Sequence, residues 1–390
     1  MRLLKSRPAW AWIIAAAISG CGGAQRGTAA SDTQPPPASP TDPAPTSTGA
    51  AARSTPAPTA DAQPAATPSE PEAPQALAPL PFELRQQLLA IRADPPPRSI
   101  TRGRHYFVSN ENQHHLVHRV ITERGGIQIG VGTEQNYLLA GWAKPEILIL
   151  MDFDEWVVDL NRVYGVLFEH AQTPDDFMVL WSFAKRRQVI QWIKQRWPEQ
   201  KAHWKKVRAF NHGQADVAHR LQRLRRRHQS RGIPSFVDDP VQYDTVASLW
   251  RQGRVLSVRG DLTQDRTLKD IADFAQAASI PVRLLYLSNA EDYFKYSAGS
   301  FRANMLALPY DERSMVLHTK PYDGSYYRYV YQSGSNYQAW LRSGKVETWC
   351  DLFAYSALAG EGEAEKDLYR IAVAPRNAPA PRNVPCTRPE

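Results

Sequence analysis

The run Ile127-Gln128-Ile129-Gly130-Val131-Gly132-Thr133-Glu134-Gln135-Asn136-Tyr137, followed by Ile147-Leu148-Ile149-Leu150-Met151-Asp152, decides how this chain folds. Its first half is a short apolar strand interrupted by glycines and continued by a helical stretch over Glu134–Ala143. Its second half is an unbroken apolar run, as expected for a strand buried on both faces of a parallel sheet. Outward from this core, 255–258 and 282–287 read as further strands with a helix at 267–278 between them. Residues 82–91, 112–124, 157–170, 175–196 and 201–231 read as helical, and 313–319 reads as an edge strand. Alternation of this kind predicts an α/β fold with a mainly parallel open sheet, helices on both faces and a Rossmann-like arrangement.

Glycines at a strand-to-helix turn let backbone approach a ligand and aim free helix N–H groups at it. An acidic residue closing the next strand can accept from both hydroxyls of a ribose. Asp152 holds that position, 22 residues after Gly130. Two departures matter. Gln135 stands where a dinucleotide-binding loop has its third glycine, and Gln128 precedes the glycines where methyltransferases usually carry an acid. The expected site is therefore a narrow, phosphate-free pocket at the carboxyl edge of the sheet, built from Gly130, Gly132, Gln135, Asn136, Tyr137, Asp152 and Asp261. The competing reading is a glycine turn that only packs strand against helix.

Residues 105–319 resemble a family of uncharacterised bacterial proteins. The resemblance rests on Tyr106-Phe107-Val108-Ser109-Asn110-Glu111, Gly125-Gly126, the Gly130–Tyr137 run, Met151-Asp152-Phe153-Asp154, Arg259-Gly260-Asp261 and Tyr286-Leu287-Ser288-Asn289. That family looks like class I S-adenosylmethionine-dependent methyltransferases in fold. The resemblance implies the sheet architecture more strongly than it implies methyl transfer.

The N-terminus carries an address. Arg2, Lys5 and Arg7 precede a short apolar stretch ending in Ile18-Ser19-Gly20-Cys21, too short for a membrane span and suited to a signal peptide. It resembles a bacterial lipobox, which predicts signal residues 1–20 and acylation of Cys21. Gly22 after the cysteine favours the outer over the inner membrane of the cell envelope. Residues 21–80 hold 13 of the 31 prolines and no aromatic residue, so they read as a disordered tether. The folded domain is expected over 81–373, with an irregular tail at 374–390.

The signal's +3 and the tether's −3 cancel, leaving the formal +8 on the domain, much of it between Lys185 and Arg231. Outside the cytoplasm the nearby anions are lipid and lipopolysaccharide head groups, so anionic lipid or cell-wall glycan is an expected partner and nucleic acid is not. The blander reading of the basic run is a solvated helical face. Tyrosines between Tyr322 and Tyr331 could stack on sugars or could cover a hairpin. With Cys21 acylated, Cys350 and Cys386 are the remaining thiols, and they are expected to pair.

Other templates fit less well. His114 and His118 share a helical spacing without an HExxH motif or a cysteine pair, so no zinc site is expected. Asp152, Asp154, Glu155 and Asp159 suit capping and solvation better than a cation. No catalytic residue is assigned, and the cofactor, if any, is unknown. Two readings stand: an exported, membrane-anchored binding or scaffold module on a methyltransferase-like fold, or a methyltransferase or other nucleoside-dependent enzyme. Compartment favours the first, since S-adenosylmethionine is made in the cytoplasm.

Overall fold

The computed structural model describes residues 77–323, 326–360 and 366–384. The signal and nearly all of the tether, with Cys21, lie outside the described residues, as does Cys386. The strands are β1 (Ile127–Val131), β2 (Ile147–Asp152), β3 (Val255–Arg259), β4 (Val282–Ser288), β5 (Met315–Asp323), β6 (Tyr326–Ser333), β7 (Ala357–Leu358) and β8 (Leu368–Arg370). They form one sheet in the order β3-β2-β1-β4-β5-β6-β8-β7. The first five are parallel, β6 returns antiparallel to β5, and β8 runs parallel to β6. The result is an α/β fold with a mostly parallel, mixed sheet of eight strands.

The helices are α1 (Phe82–Leu89), α2 (His118–Ile121), α3 (Glu134–Ala143), α4 (Glu155–His170), α5 (Pro174–Leu180), α6 (Arg186–Arg196), α7 (Gln200–Gln229), α8 (Pro240–Arg251), α9 (Thr267–Ala277), α10 (Phe301–Ala307), α11 (Gly334–Ser343) and α12 (Trp349–Phe353). Local chemistry starts several of them. Thr173 and Asp239 cap α5 and α8, each with proline in the first turn, and Asp154 caps α4 by accepting from Trp156 N–H. Long α7 buries a stripe through Val207, Phe210, Val217, Leu221 and Leu224 at helical spacing.

The pleat of β2 explains why its run is apolar throughout. Leu148 and Leu150 enter the core on one face of the sheet, with side chains of α3, α4, α7 and α8. Ile147, Ile149 and Met151 enter the core on the other, with side chains of α9, α10 and α11. Packing between helices is tight. A Cβ added to Gly165 of α4 would lie 2.6 Å from two ring carbons of Trp250 in α8. Gly165→Ala is therefore expected to destabilise by about 1–3 kcal/mol through overpacking, although alanine is the better helix former by about 1 kcal/mol. Urea unfolding checks this, and a raised midpoint would refute it.

The structure differs from expectation in five places. Residues 313–319 do not form an edge strand: β5 is flanked by β4 and β6, and the tyrosine-rich segment extends the main sheet as β6. The stretch 175–196 is split at Ser182, and 112–124 is helical only over 114–121, where a 3-10 turn at His114–Val117 runs into α2. Residues 374–384 have irregular backbone but are held to the domain, with Trp340 donating to the Val373 carbonyl and Lys345 to that of Pro375. Finally, the basic run of α7 is not simply a solvated face, because Arg220 and His228 are buried.

Candidate functional site

Parallel strands and their crossovers bring loop ends together at the carboxyl edge, and the winding reverses between β1 and β4. In open α/β sheets that is where ligands sit. A cavity of about 640 Å³ opens there. Gly132, Thr133 and Gln135 contribute from the β1–α3 turn, Asp152 and Phe153 from the end of β2, and Gly260 to Thr263 from the end of β3. Ser288 to Ala290 close it after β4, with Tyr293 and Phe294 beyond. The segment before α2 supplies Tyr106, Val108, Ser109 and Asn110. Among the described lining residues are two carboxylates, several aromatic rings and no lysine or arginine.

Of the residues anticipated from sequence, Gly132, Gln135, Asp152 and Asp261 meet at this cavity, while Gly130, Asn136 and Tyr137 do not line it. Gly130 is small for packing: a Cβ there would fall 1.7 Å from Asn136 Oδ1. Asn136 is buried and donates from Nδ2 to the Val131 carbonyl (2.9 Å). Tyr137 lies wholly in the core, its hydroxyl 3.1 Å from Asn161 Oδ1 and its ring against Tyr164.

The glycine turn is occupied by protein. Gly132 has φ +96°, which suits glycine, and the Gln135 amide folds back over it. Gln135 Nε2 donates to the Val131 carbonyl (3.0 Å), and its Oε1 accepts from Thr133 N–H (3.2 Å). At the start of α3 the Glu134 carboxylate is fully buried and accepts from Thr133 Oγ1 (2.8 Å), from Ser109 N–H (3.1 Å) and from Arg220 Nε (2.8 Å). A negative side chain thus already fills the positive end of the helix.

At the opposite lip, burial pushes the Asp152 carboxyl up to about 7; the Asp154 N–H bond opposes this and the Asp154 charge adds to it. Asp154 in turn holds His105, whose Nδ1 lies 2.7 Å away and whose ring stacks on Trp156. Asp261 accepts from Thr263 N–H (2.9 Å) and Oγ1 (2.8 Å), and Asp94 accepts from Asp261 N–H (2.9 Å).

Sequence reasoning missed the buried acid that supports Ser288 from behind. Glu111 is buried, and its carboxyl accepts from Ser288 Oγ (2.6 Å), Tyr286 OH (2.7 Å) and Thr319 Oγ1 (3.0 Å). Burial raises its pKa above the ordinary carboxylate range. Ser288, which lines the cavity, sits at φ +52°, a conformation unusual for serine and held here by its bond to Glu111. The signal was available, because Ser288-Asn289 ends the strand across the reversal. The strip Ser109–Gln113 runs beneath: Ser109 and Asn110 line this cavity, and Asn112 accepts from Arg220 and Arg227 of α7.

Elsewhere, His114 is buried with Nε2 3.6 Å from Glu111, and among the described residues no group of three or more His, Cys, Asp or Glu is placed to hold a metal. No described helix is long and apolar enough to cross a membrane. Cys350 is buried and disulfide-bonded.

The fold and cavity define an α/β protein with a candidate ligand site at the carboxyl edge of a mostly parallel sheet. The chain belongs to the family described as a domain of unknown function, DUF7790, whose model matches residues 106–371, more than half of the chain. No curated protein matches it.

Proposed function

We propose that the chain is an exported, lipid-anchored binding module whose Rossmann-like, methyltransferase-like domain holds a small, phosphate-free ligand at the carboxyl edge. The anchor on Cys21 and a Cys350–Cys386 bridge are part of this reading. The observation that carries the ligand class is the closed glycine turn. Gln135 uses the Thr133 N–H and covers Gly132, and Glu134 occupies the helix start, so a phosphate would meet a carboxylate rather than free donors. Asp152, Asp261 and the rings of Tyr106, Phe153 and Phe294 suit a neutral or cationic ring-bearing molecule, nucleosides included. The strand order β3-β2-β1-β4-β5 supports the Rossmann-like assignment and keeps the second reading, a nucleoside-dependent enzyme, in view.

Thermal unfolding of the full chain with adenosine, S-adenosylmethionine, S-adenosylhomocysteine and cell-wall fragments tests this. A ligand at 100 times its Kd should add about 2.7 kcal/mol. Asp152→Asn is expected to weaken binding at least tenfold. For a cationic ligand, wild-type affinity should rise as pH climbs through about 7, where Asp152 loses its proton, and the Asn variant should show no such rise. A ligand bound instead against Tyr322 and Tyr326, unaffected by Asp152→Asn or Gly132→Val, would move the site and favour a glycan-binding module. Methyl transfer from S-adenosylmethionine to any added acceptor would favour the enzyme.

A further inference from the structure

A second cavity, of about 620 Å³, opens at the C-terminal end of α7. Arg223, Arg226, Arg227 and Arg231 form one wall, with His115 and the half-exposed ring of Tyr326 opposite. Two of the arginines are fixed in place: Arg227 Nη1 donates to the Asn112 carbonyl (2.6 Å) and Arg231 Nη1 to the Arg227 carbonyl (3.1 Å). Arg223 and Arg226 are exposed, and no described residue gives either guanidinium a hydrogen bond or a counter-ion. One described carboxylate, Asp367, lines the cavity, and its Oδ2 already accepts from Gln113 Nε2 (2.6 Å) and Tyr322 OH (3.0 Å).

A single cation at a helix C-terminus is stabilising by about 0.3–1 kcal/mol. Four arginines within three turns exceed that need, and they act against one another. Burial first, then Arg231 and Arg220, lower the Arg227 pKa, and His115 is pushed down to about 4 by burial, Arg231, His228 and Arg227. The field is positive and unbalanced among the described residues. Planar guanidinium groups match the oxygens of a phosphate in bidentate fashion, and an adjacent ring gives the body carrying it a surface.

We propose that this bowl binds a phosphate dianion, as a phosphomonoester or diphosphate group. It is chemically the opposite of the carboxyl-edge cavity, and it stands whether or not that cavity binds a nucleoside. The phosphate can be soluble or borne by a lipid, and the test separates the two.

Inorganic pyrophosphate is titrated into the full chain carrying Cys21→Ser, so that no acyl anchor contributes, with chloride matching ionic strength. Pyrophosphate is expected to raise the thermal midpoint where chloride does not. Arg223→Ser with Arg226→Ser should weaken it at least tenfold, while Lys194→Ser with Arg196→Ser on α6, which removes equal charge, should leave affinity within twofold. Retention on vesicles of phosphatidate in phosphatidylcholine, reversed by pyrophosphate, identifies a lipid phosphate. Pyrophosphate binding without vesicle retention identifies a soluble phosphoester. Absence of protection by millimolar pyrophosphate, equal protection by chloride, or equal losses in the two double variants overturns the proposal.

Discussion

Arg220→Met is expected to cost about 3–5 kcal/mol of stability, one of the two largest effects foreseen for a single side chain here. Arg220 and Glu134 are both out of water, so removing the cation leaves an uncompensated carboxylate in the core. It also strips donors from Asn112 Oδ1 and from the Glu111 carbonyl. The neutral pair Arg220→Met with Glu134→Gln should recover more than half of the loss, because a buried pair replaced by neutral groups leaves no orphaned charge. Urea unfolding at pH 7 decides it. A loss under about 1 kcal/mol for the single variant would sink the argument, and so would a double variant no better than the single.

Glu111→Leu should be nearly as damaging, at about 3 kcal/mol or more, since the hydroxyls of Tyr286, Ser288 and Thr319 lose one shared acceptor and each unsatisfied buried group costs about 1–3 kcal/mol. Glu111→Gln keeps an acceptor for Ser288 and Thr319 and should cost about 1 kcal/mol near pH 5. The pH dependence separates the two roles of this residue. Its folded pKa is raised, so its contribution is full below the unfolded carboxylate value and is lost as pH rises through the folded value. Wild type should therefore lose more stability than Glu111→Gln as pH rises above the ordinary carboxylate range, narrowing the gap. A gap that widens with pH would show that Glu111 is held charged.

The parallel core was legible because β1 and β2 announce themselves locally. An apolar run with glycines at its end and an acid closing the next strand needs no tertiary knowledge to interpret. The β5–β6 hairpin was harder, since nothing in 313–319 says which strands will flank it; position in a sheet is set by partners remote in sequence. Within the candidate site, Gly132, Gln135, Asp152 and Asp261 followed from the strand-end rule. Gly130, Asn136 and Tyr137 do not reach the crevice: Gly130 lies within β1, and in the first turn of α3 the Asn136 and Tyr137 side chains turn back onto β1 and α4, leaving Gln135 at the cavity. Glu111 was invisible for a different reason. It comes from an irregular segment, and its partners on β4 and β5 are more than 170 positions away. Arg220 looked like one more member of a basic run, and only its burial against Glu134 sets it apart.

The strip Ser109–Gln113 has a consequence for how the two cavities behave together. Its first residues face the carboxyl-edge cavity, and Gln113 faces the arginine bowl. Arg220 and Arg227 clamp the residues between them. The cavities are two rooms with one partition wall. An occupant that shifts the partition on one side changes the shape presented on the other, and linkage requires the two affinities to change by the same factor, whichever ligand arrives first. A phosphate at the surface and a small molecule at the sheet edge would then report on each other through five residues of irregular backbone, with no helix or domain having to move.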